Sequence, residues 1–204
     1  MRYLSTLLSS ALLLSSAAFA NIAEAGGTSN LTITEIVSQS AGNTEFDGNK
    51  FDYDILLKAV LTAGLADALD DPDSNLTLFA PNDRGFILLA RDLGYTGYDE
   101  EEAWLAIVDF LDGPDDDVDP IPFLQSILLY HVVPKRISVF GFIRAVLRGS
   151  DITTLNGETV DPFFFGLVDK APNLRNPRLS FPINVFARNG IIHTINRVLI
   201  PVDL

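Results

Sequence analysis

The chain has 204 residues, of which 14 are basic and 27 acidic, for a formal net charge of −13, and it has no cysteine. So negative a surface repels phosphate backbones, which excludes nucleic acid as a partner and argues against charge-driven docking on anionic lipid. Without cysteine no disulfide is available, so an apolar core must hold the fold alone.

Arg2, the Leu-, Ser- and Ala-rich run from Leu4 to Leu14 and the triplet Ala18-Phe19-Ala20 read as a secretory signal peptide cleaved after Ala20. The apolar run is short for a bilayer span, and Ser15 and Ser16 interrupt it. Residues 21–30 read as a linker, and 31–204 as one domain, long enough for a single sizeable core. No later segment has the length and apolarity of a membrane span or of a removable lipid-anchor tail, so the expected product is secreted or extracellular (periplasmic or on the cell surface in a bacterium).

In chain order, Ile33 to Ser38 predicts a short helix with Thr32 or Thr34 as cap, and residues 42–50 a polar loop. Leu56, Leu57, Ala59, Val60, Leu61, Leu65 and Leu69 recur at helical spacing, with Gly64 as a break. Leu76 to Ala80 predicts a strand, and Pro81 to Leu93 a helix starting near Asn82 or Asp83. After Gly94, the acids Asp99 to Glu102 suit a helix N-terminus, and Trp104, Val108 and Leu111 share one face. Gly113-Pro114 ends that helix, and an acidic loop runs to Asp119. Phe123 to Leu129 predicts a helix, and Ile137 to Arg148 an amphipathic one with Phe140, Ile143, Val146 and Leu147 facing inward. Two strands around Asn156-Gly157 predict a hairpin. The final strands start near Ile183 and Asn189. There Asn189-Gly190 predicts a turn, because both residues tolerate positive φ, and pairing runs on until Pro201. Short strands with segregated helices indicate an α+β domain.

Four segments carry a resemblance. TLFAPNDRGF (Thr77 to Phe86), LLYHVVP (Leu128 to Pro134), ITTLNGETV (Ile152 to Val160) and NGIIHTINRVLIPVDL (Asn189 to Leu204) resemble, in order, the first signature, the Tyr-His motif, the strand-turn-strand and the second signature of fasciclin domains. FDYDILLKAVLTAGLADAL (Phe51 to Leu69) is similar to that family's opening helical pair, and the resemblance covers roughly Leu31 to Leu204. It implies a fasciclin-like α+β fold, a compact sandwich or wedge of short strands with several flanking helices. The motif residues Tyr130, His131, Asn189, Gly190 and His193 are expected to serve the packing. The acidic insert at about residues 95–121 departs from the family pattern.

Candidate chemistry is sparse. His131 and His193 are the only histidines, and with no cysteine they fall short of a zinc ligand set, so each is expected to be buried and hydrogen-bonded. There is no G-x-S-x-G elbow and no serine in a nucleophile context, so no catalytic residue is assigned. The loop from Asp112 to Asp119 lacks the calcium-loop spacing and reads as solvated acid. No metal and no cofactor is expected. Asn30-Leu31-Thr32 and Asn75-Leu76-Thr77 are glycosylation sequons in a eukaryotic secretory route.

The resemblance implies a secreted, non-enzymatic cell-adhesion or extracellular-matrix module whose partner is a cell-surface or matrix protein or polysaccharide. An Asp-Ile pair linked to receptor binding in animal members falls at Asn184-Val185 here, and the usual Asp near the end of the second signature is Asn196. Both changes remove a carboxylate that would complete a metal-bridged contact. The alternative is a soluble carrier of a lipophilic small molecule such as a carotenoid, as in some algal members. That needs an apolar groove, for which Phe163, Phe164, Phe165, Phe140, Phe142, Trp104 and the helix around Phe86 are wall candidates. Three consecutive phenylalanines cannot all face one core from a strand, so at least one meets solvent, a ligand or a partner.

Overall fold

The first and last strands of the domain lie side by side. β1 (Leu76–Pro81) and β7 (Gly190–Ile195) pair in parallel, from Leu76 opposite Gly190 to Pro81 opposite Ile195, and both are buried along their whole length. A strand covered on both faces reads as a continuous apolar run rather than an alternating one, as in Gly190-Ile191-Ile192. β2 (Val132–Val133) flanks β1 and β6 (Val185–Ala187) flanks β7, both antiparallel, giving the order β2-β1-β7-β6. A second, antiparallel sheet joins β3 (Ile152–Thr153), β4 (Thr159–Phe163) and β5 (Gly166–Val168). This computed structural model describes residues 30–42, 46–113 and 119–204. The expected signal peptide, nearly all of the linker and residues 114–118 of the acidic loop lie outside them.

Among the described residues the helices are α1 (Ile33–Ala41), α2 (Asp54–Thr62), α3 (Ala66–Asp70), α4 (Asp83–Asp92), α5 (Glu100–Asp112), α6 (Ile121–Tyr130) and α7 (Val139–Arg148). Local chemistry sets their starts. Thr32 and Glu35 make a reciprocal capping box on α1, Asn82 accepts from Gly85 N–H at α4, and Ser138 accepts from Gly141 N–H at α7. At α5 Asp99 accepts from Glu102 N–H, but Glu102 takes the Tyr95 hydroxyl rather than closing the box. Gly64 and Gly149 leave α2 and α7 in left-handed conformations open to glycine. Two buried clusters result. The larger lies between the helices and one face of the central sheet. The smaller, around Phe79, Tyr130, Phe142 and Leu167, lies between the two sheets and α7.

Three expectations need correction, and one open question is answered. Neither Asn189 nor Gly190 has positive φ: Ala187 pairs with Gly190, so the turn is Arg188-Asn189. Gly190 is instead required by close approach, since a Cβ there would sit 2.5 Å from the Leu76 carbonyl oxygen and 2.6 Å from Ile33 Cδ1. β7 ends at Ile195, well short of Pro201; Leu199 and Ile200 are buried but donate their N–H groups to His131 and Asp169 side chains. The insert, whose role the sequence leaves open, belongs to the core: α5 packs on α4 and α2 and buries Ala103, Trp104, Ile107 and Leu111 in the main cluster. Finally, α7 turns Phe140, Ile143 and Leu147 outward, and of the four residues expected inward only Val146 packs against the smaller cluster. Phe142 is its one buried residue, while Phe140 is 77 % and Leu147 78 % exposed.

Candidate functional site

The two motif histidines sit in the core with both ring nitrogens engaged. His131 Nδ1 lies 2.8 Å from the Ile127 carbonyl and Nε2 accepts from Leu199 N–H at 2.9 Å, so the proton is on Nδ1. His193 has the opposite tautomer. Its Nε2 donates to the Ile137 carbonyl at 2.8 Å, its Nδ1 accepts from Asn184 N–H at 3.3 Å, and its ring stacks on Phe79. Burial depresses both, His131 to about 4. Neither ring has a nitrogen left for a metal or a proton transfer. Tyr130, fully buried, donates its hydroxyl to the Thr159 carbonyl and so ties α6 to β4.

These rings make the fold acid-sensitive. Both are depressed below the 6.5 of the unfolded chain, so at these two sites the unfolded state takes up more protons as pH drops below 6.5, and the contribution of His131 is lost as pH falls towards 4. The buried carboxyls act in the opposite sense, so a difference against a variant isolates the imidazole. Relative to wild type, His131→Gln should be less stable at pH 7, and the gap should narrow by roughly 3 kcal/mol by pH 4. Urea midpoints at pH 7, 6, 5 and 4 measure it, and a gap independent of pH refutes the assignment.

Asn189 is the other motif residue with a dense set of partners. Its side-chain oxygen accepts from Ile33 N–H at 2.9 Å, and its amide donates to the Leu69 and Asp71 carbonyls at 2.8 and 3.0 Å. Asn184 has positive φ and accepts from Val139 N–H at the start of α7, whereas Val185 is buried in β6. The dipeptide is therefore built into the sheet edge, and its Val side chain is not presented to a partner. Phe163 to Phe165 form the tip of the β4–β5 hairpin, with Phe163 half-buried under the Arg178 guanidinium and Phe164 and Phe165 exposed. The suggested aromatic walls do not converge. Phe142 belongs to the smaller cluster, Trp104 and Phe86 to the larger, and Phe140 faces solvent.

Two features, one at the surface and one buried, were not legible as sites in the sequence. Lys135, Arg136, Arg144 and Arg148 line an open cleft of about 270 Å³ along α7, a basic concentration on a strongly acidic chain. On the opposite chemistry, Asp52, Asp54, Asp83 and Glu100 are buried where the 46–54 segment meets α4 and α5. Desolvation drives all four carboxyls up, Asp54 to about 7, and Asp83, facing Asp52, is raised as well. Asp83 uses its oxygens to cap α2, accepting from Asp54 and Ile55 N–H at 3.1 and 2.8 Å. In the sequence Asp54 and Glu100 look like ordinary first-turn acids, and only tertiary contact reveals the cluster.

The fasciclin domain model matches residues 51–201, about three quarters of the chain. The chain belongs to the fasciclin family. Fasciclin domains are in general adhesion or extracellular interaction modules, non-enzymatic, and typically secreted or extracellular. Protein sll1483 from Synechocystis sp. is 28 % identical over 180 residues, covering 88 % of this chain and 79 % of that protein. The fasciclin domain pair from the insect cell adhesion molecule Fasciclin I superposes with a TM-score of 0.52 at 16 % identity, covering 83 % of this chain. This chain spans 50 % of that one, and the likeness concerns the fold. Among the described residues no helix is long and apolar enough to cross a membrane.

Proposed function

We propose that this fasciclin domain is a secreted, non-enzymatic adhesion module that grips an extracellular protein on the outer face of α7. The observation that carries this reading is the reversed helix. Phe140, Ile143 and Leu147 recur at helical spacing yet face solvent, and the cleft lined by Lys135, Arg136, Arg144 and Arg148 runs beside them. Large exposed apolar side chains flanked by arginine favour a partner that offers an acidic surface with an apolar patch. The rest of the chain is acidic, so the basic strip also orients such a partner on approach.

A carrier of a carotenoid-sized molecule needs a deep apolar cavity, on the order of 300–1,000 Å³. The apolar pocket between α2, α3, α6 and β2, lined by Leu56, Val60, Leu128 and Val132 among others, offers about 30 Å³, room for about one water.

The double variant Phe140→Ser/Leu147→Ser tests the adhesion reading. Both side chains are exposed, so melting should shift little. Adhesion of cells of the source organism to the immobilised protein should fall at least tenfold. Unchanged adhesion removes α7 as the contact. A purified protein that carries coloured small molecule, released on denaturation, replaces the module by a carrier.

A further inference from the structure

The buried acids are arranged as ligands as well as caps. One carboxylate oxygen from each of Asp47, Asp54 and Glu100 lies within 4.8 Å of the others. Oxygens that share a calcium ion, each 2.3–2.6 Å from it, lie no more than about 5 Å apart. Backbone N–H groups of one loop hold the two buried carboxylates in place. Asp54 Oδ2 accepts from Asp47 N–H at 3.0 Å, and Glu100 Oε2 from Gly48 N–H at 2.9 Å. Their other oxygens, Asp54 Oδ1 and Glu100 Oε1, are buried and meet no donor among the described residues, and Asp52 Oδ1 next to them is in the same condition. A buried carboxylate oxygen without a donor is costly. The ion pairs between described residues, Lys170 to Glu158 and Arg197 to Asp92, lie elsewhere. The ammonium of Lys50, on the same loop, lies over the Tyr98 ring, which also faces Arg91.

We propose that Asp47, Asp54 and Glu100 form a divalent-cation site of the calcium type that pins the 46–54 segment to the first turn of α5. The donors are all oxygen, with neither His nor Cys, which selects a hard cation over zinc or copper. Asp47 is exposed and gives the ion a way in, while Asp54 and Glu100 are buried and supply the charge it neutralises. Loop carbonyls and water complete the coordination of six or more that calcium takes. The cluster of Asp52, Asp54 and Asp83 shares Asp54 but is wholly buried, and Asp83 has its oxygens on backbone donors. It therefore belongs to the scaffold behind the site. The consequence is a fasciclin domain whose distinctive insert is fastened by an ion that extracellular fluids supply.

The full mature protein, stripped with chelator, provides the test. Calcium at about 100 times its dissociation constant should raise the melting temperature by on the order of 5–10 °C over EDTA, and magnesium by much less. Terbium should show emission sensitised by Trp104, the sole tryptophan, which follows Glu100 by one helical turn, and calcium should quench it by displacement. Glu100→Gln should weaken terbium binding at least tenfold. Because that buried change also alters folding, Asp47→Asn serves beside it. It should lose most of the calcium shift yet melt like wild type in EDTA. Equal melting of the wild type in EDTA and calcium overturns the site. So does a calcium response undiminished in Asp47→Asn, which would assign the effect to the general acidity of the surface.

Discussion

Asn189→Ala should lower stability by about 4 kcal/mol, on a scale where a whole domain has roughly 5–15. The reason is the number of groups the side chain satisfies at once. It supplies the acceptor for the first N–H of α1 and donors for the carbonyls of Leu69 and Asp71, at the end of α3 and just beyond it. An alanine leaves these three groups without their partner, at about 1–3 kcal/mol for each that stays buried. The melting point should fall by roughly 10–15 °C. Asn189→Asp separates hydrogen bonding from packing, because it keeps the shape and the acceptor but points a carboxylate at two carbonyl oxygens. It should be about as damaging as alanine. Should aspartate melt like wild type, or alanine lose under about 1 kcal/mol, the amide does not hold α1 and α3 to β7.

Removal of the insert should be more destructive still. Deleting Glu100 to Asp119 takes away Trp104, Ile107 and Leu111, each buried in the main cluster against α4 and α2. Burying such side chains stabilises by about 1.5–3 kcal/mol apiece, so their loss alone rivals the stability of the domain, and the surface they covered becomes exposed. The shortened chain should be insoluble, or soluble with helical far-ultraviolet signal, weak near-ultraviolet signal and dye-binding apolar surface. Trp104→Ala, at about 3–5 kcal/mol, is the graded version. A soluble, cooperatively melting deletion product would show that α5 decorates a core complete without it.

The elements themselves were legible because their signals are local. Thr32, Asn82 and Asp99 cap the helices they precede, since a cap needs only the N–H groups two or three residues on. The hairpin at Asn156-Gly157 follows from a glycine that takes φ of +92° and a side chain that bonds its own turn. Four ordered motifs likewise carried the family. The same local reasoning failed at Asn189-Gly190. There the pair is selected by contacts with Ile33, Leu69 and Leu76, more than a hundred residues away, and no turn propensity encodes those contacts.

What the sequence alone determined, then, is what depends on neighbours in the chain: helix starts, strand runs, the family and the burial of two histidines between apolar residues. Tertiary structure decided what depends on partners far along it. Pairing of the first strand with the last is one such outcome, because parallel strands carry no mark of register. The face that α7 turns to the core is another, since its periodicity gives a stripe but not which side of the stripe finds a partner. The acid cluster is the third. Asp47 lies in the loop before α2, Asp54 opens that helix and Glu100 follows about a quarter of the domain later, and only folding brings three like charges within the span of a single ion.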